Sequence, residues 1–117
     1  MVAPRRGEIW WVDLSPVRDR EHAGRRPALI VSADTFNRGP RELVWVLPLT
    51  RTKRPYPLHI EVLPAESGLR DPSYIMCEQL RAVSVGRLLD TTPAGQVSSA
   101  TLAAIERLVR AVLDFAQ

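Results

Sequence analysis

The chain has 117 residues, 45% apolar and 25% charged, which suits a single soluble domain over residues 1–117 with a core of its own. It contains no 18-residue apolar run, so no transmembrane helix is expected, and its one cysteine, Cys77, excludes an internal disulfide and a cysteine zinc site. The net charge of +3 permits an anionic partner without demanding one.

Met1 to Arg6 leads into Gly7-Glu8 without an apolar signal core, so a cytoplasmic location is expected. Gly7 to Leu14 reads as the first strand. Ile9 and Trp11 alternate with Trp10, Val12 and Leu14, which predicts a strand covered on both faces. Val17 to Gly24 is a polar loop carrying Arg18, Asp19, Arg20 and Glu21, and a loop of that length is usually functional or mobile. Arg26 to Ser32 is the second strand. Pro27 fixes its own φ and pushes Arg26 toward extended geometry, so Arg26 sits where a loop meets a rigid scaffold.

Ser32 to Asn37 predicts a single helical turn, and Asn37-Arg38-Gly39-Pro40 a loop. Leu43 to Leu47 is the third strand, with Pro48 at its end. A basic, proline-rich loop from Thr50 to Pro57 precedes a fourth strand, Leu58 to Val62, and Pro64 to Pro72 reads as loop. Ser73 to Val83 predicts a bent fifth strand running into a sixth, and Val85 to Leu89 a short helix. Ser98 or Ser99 caps a terminal helix. Its stripe is Leu102, Ile105, Val109, Val112 and Ala116, widened by Leu108 and Phe115, with Glu106 and Arg110 as an i,i+4 pair. Strands followed by one helix predict a small α+β, mainly antiparallel fold. Trp10, Trp11, Trp45 and Phe115 are expected in the core, or for some between subunits.

The chemistry on offer is narrow. There is no phosphate-binding glycine loop, no dinucleotide fingerprint and no HExxH metal motif. His59 alternates with Leu58 and Ile60 and is expected to be structural or solvated, while His22 lies in the polar loop and is a weak candidate for proton transfer. Eleven of the sixteen basic residues fall between Arg5 and Arg54, and all but Lys53 are arginines, the side chain that forks onto phosphate and stacks on bases. Arginines, hydroxyls and an amide remain on the loops: Arg18, Arg20, Arg25, Arg26, Thr50, Thr52, Gln79 and Arg81. They suit a phosphate ligand. An enzyme acting on RNA needs little else, because the 2′-hydroxyl is already the nucleophile.

Arg6-Gly7-Glu8-Ile9-Trp10, Asp13-Leu14-Ser15-Pro16 and Gly24 to Ser32, followed by Pro48-Leu49-Thr50, Pro57 to Glu61 and Glu78 to Val83, resemble the MazF/PemK family of toxin endoribonucleases, the mRNA interferases of type II toxin–antitoxin systems. The resemblance implies an SH3-like barrel with a C-terminal helix, a cytoplasmic homodimer, and metal-independent cleavage of single-stranded RNA without a cofactor. Its products would carry 2′,3′-cyclic phosphate and 5′-hydroxyl ends, and loss of mRNA would arrest translation and growth. A cognate MazE-like antitoxin with an acidic tail would occupy the RNA groove.

Carried over by position, Arg26 and Thr50 match the catalytic arginine and threonine. Glu21, Gln79 and Arg81 match residues that shape the RNA site, with Arg18, Arg20, His22, Arg25 and Thr52 as further RNA contacts. Arg20 and His22 stand where the family commonly has serine and glutamine, and Arg25 adds a second cation. A guanidinium keeps its proton at neutral pH and is a poor base, so Arg26 is expected to stabilise charge on the phosphorane. A CcdB-like gyrase-binding toxin, or a non-catalytic RNA- or operator-binding module, stays open on the residues alone.

Overall fold

The computed structural model of the chain describes residues 3–15 and 24–115. Strands β1 (Glu8–Asp13) and β2 (Arg25–Ile30) pair antiparallel, with Ile9 opposite Leu29 and Asp13 opposite Arg25. Helix α1 (Asp34–Asn37) is the expected single turn. Its buried Asn37 amide donates to the Pro4 and Ser32 carbonyls, and the Ser32 hydroxyl donates to the Asn37 side-chain oxygen. This small polar knot ties the N-terminal segment to the end of β2.

Strand β3 (Leu43–Thr50) is longer than expected, because Pro48 does not end it. Pro48 is the last rung shared with β2, opposite Ala28, and the next residue, Leu49, is already opposite Ile75 of β5. The donor that proline lacks therefore falls at the handover between partners, where the ladder can spare it. Strand β4 (His59–Val62) pairs with β5 (Ser73–Met76), and β6 (Arg81–Ser84) pairs with the first half of β3. The segment expected as one bent strand into another is thus β5, a turn at 77–80, and β6. A 3-10 turn at Val85–Arg87 follows, close to the expected short helix.

Two short elements were not anticipated. Helix α2 (Pro64–Ser67) is one turn with Pro64 at its start and Gly68 as its left-handed cap at φ 72°. A Cβ on Gly68 would lie 1.7 Å from the Ala94 carbonyl oxygen, so only glycine fits there. Strand β7 (Gly95–Gln96) adds two residues to the edge of β1. Helix α3 (Ser99–Val112) begins at Ser98, whose hydroxyl accepts from the Thr101 N–H at 3.2 Å.

The strand order is β4-β5-β3-β2-β1-β7, with β6 also on β3, and the sheet curls into a half-barrel carrying the C-terminal helix. Both faces of the sheet are covered, as the first strand predicts. Ile9, Leu29, Leu47, Leu49 and Ile75 pack with Ile105 of α3, whereas Trp10, Val12, Ala28, Ile30, Val44 and Val46 form a second cluster on the opposite face.

The expected apolar stripe of α3 holds through Leu102, Ile105, Leu108 and Val109 and then fails. Val112 is exposed, Phe115 is 95% exposed, and Ala116 lies outside the described residues. Neither Val112 nor Phe115 belongs to a core cluster of the described residues. Trp11 and Trp45 are likewise exposed, and of the four large aromatics expected in the core only Trp10 is buried there. Among the described residues no helix is long and apolar enough to cross a membrane.

Candidate functional site

Arg26 lies in the second position of β2, with Val12 of β1 opposite it. Its side chain is exposed and reaches across to β3, where Nη1 donates to the Leu49 carbonyl at 3.4 Å. That is a long bond, enough to aim the guanidinium toward the end of β3 and leave its other donors for a ligand. Thr50 is the next residue of β3. Its hydroxyl oxygen accepts from the Thr52 N–H at 3.2 Å, which leaves the hydroxyl proton to donate outward.

Arg26, Thr50 and Thr52 form a ridge between two hollows, and they line both. One hollow, of about 550 Å³, is bounded by Trp11, Arg25, Arg51, Arg70, Asp71 and Ser73. The other, of about 510 Å³, is bounded by Arg54, Tyr56, His59, Glu78, Gln79 and Arg81. The two hollows adjoin at these three residues and together form one groove. Six arginines line it against two carboxylates, Asp71 and Glu78, and Arg51 stands 3.6 Å from Asp71. Such a groove draws a polyanion, with arginine forks for its phosphates.

The structure therefore gathers Arg25, Arg26, Thr50, Thr52, Gln79 and Arg81 along one groove. Arg25 belongs only to the first hollow, and Gln79 and Arg81 only to the second. Gln79 is held by the turn after β5, where its N–H donates to the Met76 carbonyl at 3.1 Å, and Arg81 opens β6 opposite Val46. Arg18, Arg20, Glu21 and His22 lie outside the described residues. The described residues on either side of them, 13–15 and 24, meet at a tight neck. Leu14 N–H donates to the Gly24 carbonyl at 2.8 Å, and the Arg87 guanidinium donates to the Asp13 and Ser15 carbonyls at 3.1 and 2.6 Å.

Several groove residues were not anticipated: Trp11, Arg51, Arg54, Tyr56, His59 and Glu78. Of the two expectations for His59, structural or solvated, the first holds, although its partner was not foreseen. Its side chain is 3% exposed, and Nε2 lies 3.0 Å from the Glu78 carboxylate. Burial pushes the Glu78 carboxyl up, but its bonds to His59, its own backbone and Gln79 outweigh that and hold it below the usual 4.5. An ionised Glu78 requires a donor, so Nε2 carries the imidazole hydrogen. Nδ1 is buried and has no hydrogen-bond partner among the described residues. The pairing was hidden because it joins β4 to the turn after β5. The available signal was an aromatic inside a basic loop, Arg54-Pro55-Tyr56-Pro57, just before the histidine.

The sequence matches a family model over residues 5–113, described as the PemK-like, MazF-like toxin of type II toxin–antitoxin systems. It is 37% identical over 115 residues to endoribonuclease MazF9 of Mycobacterium tuberculosis, covering 94% of this chain and 96% of that one. It is 34% identical over 87 residues to endoribonuclease EndoA of Bacillus subtilis, covering 74% and 75%. The fold is similar to that of a solved endoribonuclease from a mycobacterial species, with a TM-score of 0.77, 26% identity and 100% and 97% coverage. A second mycobacterial endoribonuclease, solved in complex with its cognate antitoxin, superposes with a TM-score of 0.74 at 26% identity, covering 97% and 95%.

Proposed function

The chain belongs to the PemK-like, MazF-like toxins of type II toxin–antitoxin systems and acts as an endoribonuclease toxin, and we propose that single-stranded RNA lies along the groove and is cut at the Arg26–Thr50 ridge. The observation that carries this reading is the ridge itself: one arginine and one hydroxyl, each with a donor that no hydrogen-bond partner takes up among the described residues, between two hollows lined by arginines.

The chemistry follows from the substrate. The 2′-hydroxyl of one nucleotide attacks the adjacent phosphorus, and its proton leaves as the new P–O bond forms. The phosphorane then expels the 5′-oxygen of the next nucleotide, which takes up a proton. The products are a 2′,3′-cyclic phosphate and a 5′-hydroxyl. Arg26 neutralises the negative charge that accumulates on the non-bridging oxygens, and the Thr50 hydroxyl donates to one of them. Both groups are carried by strands, so little reorganisation accompanies the reaction.

The same groove suits a cognate antitoxin with an acidic segment, which would compete with RNA for the arginines. The toxin acts in the cytoplasm as a homodimer. Exposed Trp45, Val112 and Leu113 supply apolar surface for a second copy to cover.

The test is digestion of a long RNA by the purified protein in EDTA, with the same sequence as DNA alongside. RNA should be cut at short recurring sites that leave 5′-hydroxyl ends. DNA, which lacks the nucleophile, should stay intact. Intact RNA, or cleavage that stops in EDTA, would overturn the proposal.

A further inference from the structure

Tyr56 is half open to solvent, 52% exposed, yet it is held more firmly than a surface side chain needs to be. It sits between Pro55 and Pro57. Pro57 restricts Tyr56 to extended backbone, and Pro55 fixes the residue before it, so the tyrosine backbone has little freedom left. The Tyr56 carbonyl accepts the His59 N–H at 3.1 Å and closes a turn. Its ring meets the His59 ring edge-on, with centroids 5.2 Å apart and planes at 74°. His59 is buried and held in turn by Glu78 at 3.0 Å. A carboxylate thus holds an imidazole, and the imidazole meets a phenol ring on a residue that stays half exposed and lines the groove.

Nothing in the fold requires this ring. It belongs to neither core cluster, so its apolar surface stays wet in the free protein. It shares its hollow with Arg26, Thr50, Arg54 and Arg81. An ordered aromatic face beside cations that grip a backbone is the arrangement by which proteins stack the bases of single strands.

We propose that Tyr56 is a base-stacking platform for a nucleotide flanking the scissile phosphate, with His59 and Glu78 as the positioning residues that hold its ring in the groove. The subsite rests on the ribonuclease reading above, since its occupant is an RNA base. A stacked base would also fix the sugar and phosphate beside it relative to Arg26, so Tyr56 contributes to alignment at the ridge.

Two measurements test it. The first uses an uncleavable oligonucleotide, with 2′-deoxy sugar at the cut site and 2-aminopurine placed at each flanking position in turn. Stacking quenches the fluorophore at one position in the wild-type protein and in Tyr56→Phe, and the quenching is lost in Tyr56→Ala. The second is a double-mutant cycle on cleavable RNA. An abasic nucleotide at that position lowers kcat/KM roughly 10- to 100-fold for the wild type and has no further effect on Tyr56→Ala. His59→Ala weakens the quenching while Tyr56 is present and changes nothing once it is gone. Thermal melting confirms that each variant is folded.

Equal quenching by wild type and Tyr56→Ala at every position, or additive losses in the cycle, would overturn the stacking proposal. A protein that quenches as described but cuts no RNA would leave the subsite standing and overturn the ribonuclease reading instead.

Discussion

Replacing Arg26 by alanine separates the chemistry from the fold. The side chain is exposed, and its bond to the Leu49 carbonyl is long at 3.4 Å, so the cost in stability is about 0.5 kcal/mol or less. The cost in rate is much larger. A guanidinium about 4 Å from a developing charge, at an effective dielectric constant of about 20, contributes roughly 4 kcal/mol. Loss of one donor aimed at an oxyanion costs about 3 to 4 kcal/mol, which agrees. Arg26→Ala should therefore slow the cleavage step about a thousandfold. Arg26→Lys keeps the charge and loses the fork, and should retain about a tenth to a hundredth of the activity. The assay is single-turnover cleavage of an RNA with one site at saturating protein, with urea unfolding of each variant as control. An alanine variant within threefold of wild type, at unchanged stability, would refute the assignment of charge stabilisation to Arg26.

Glu66 offers a pH-dependent prediction. Burial pushes its carboxyl up, but hydrogen bonds from the Ser98 backbone, Thr101 and the Ser98 hydroxyl at the start of α3 hold it below 4.5. A carboxyl lowered in the folded state contributes stability that is fully present above its unfolded value, near 4.5, and is lost as pH falls through the folded value. Glu66→Gln should cost roughly 1 kcal/mol at pH 7, allowing for partial exposure, and the cost should be smaller in acid, below the unfolded value, as at pH 3. Parallel urea midpoints for wild type and variant at both pH values would refute it. Ile105 is the only residue of α3 that is buried, and Ile105→Ala should destabilise by about 2 to 4 kcal/mol in urea unfolding. A loss under 1 kcal/mol would mean that α3 is not anchored through it.

Much of this architecture was legible because local chemistry and tertiary packing agree. The alternation at Ile9, Trp10 and Val12 assigned those residues to opposite covered faces, and the Ser98 cap with the Leu102–Val109 stripe located α3. The misreadings have different causes. Pro48 looked like a stop, but β5 receives the strand one residue later. Pro64 and Gly68 carried start and stop signals for a helix too short to show any periodicity. Trp11, Trp45 and Phe115 looked like core because bulk predicts burial, but all three are exposed in the chain by itself. At the groove, Arg26 and Thr50 were expected from the resemblance to the family, since their positions alone marked only a strand entry and a strand end. His59 and Glu78 were not, because they meet only once β4 has paired with β5.

Strand β3 takes hydrogen bonds from β2, β5 and β6, more partners than any other strand. Its amides should be among the slowest to exchange with deuterated solvent, opening only when the whole chain opens. Thr50 is its last residue, and Arg26 leans on the carbonyl before it. If RNA is cut at this ridge as proposed, the two groups that act on the phosphate are tied to the strand with the most partners. Loosening the short β7 edge, which pairs only with β1, should then leave the ridge assembled. An inhibitor should act more readily by filling the groove than by fraying the chain around it.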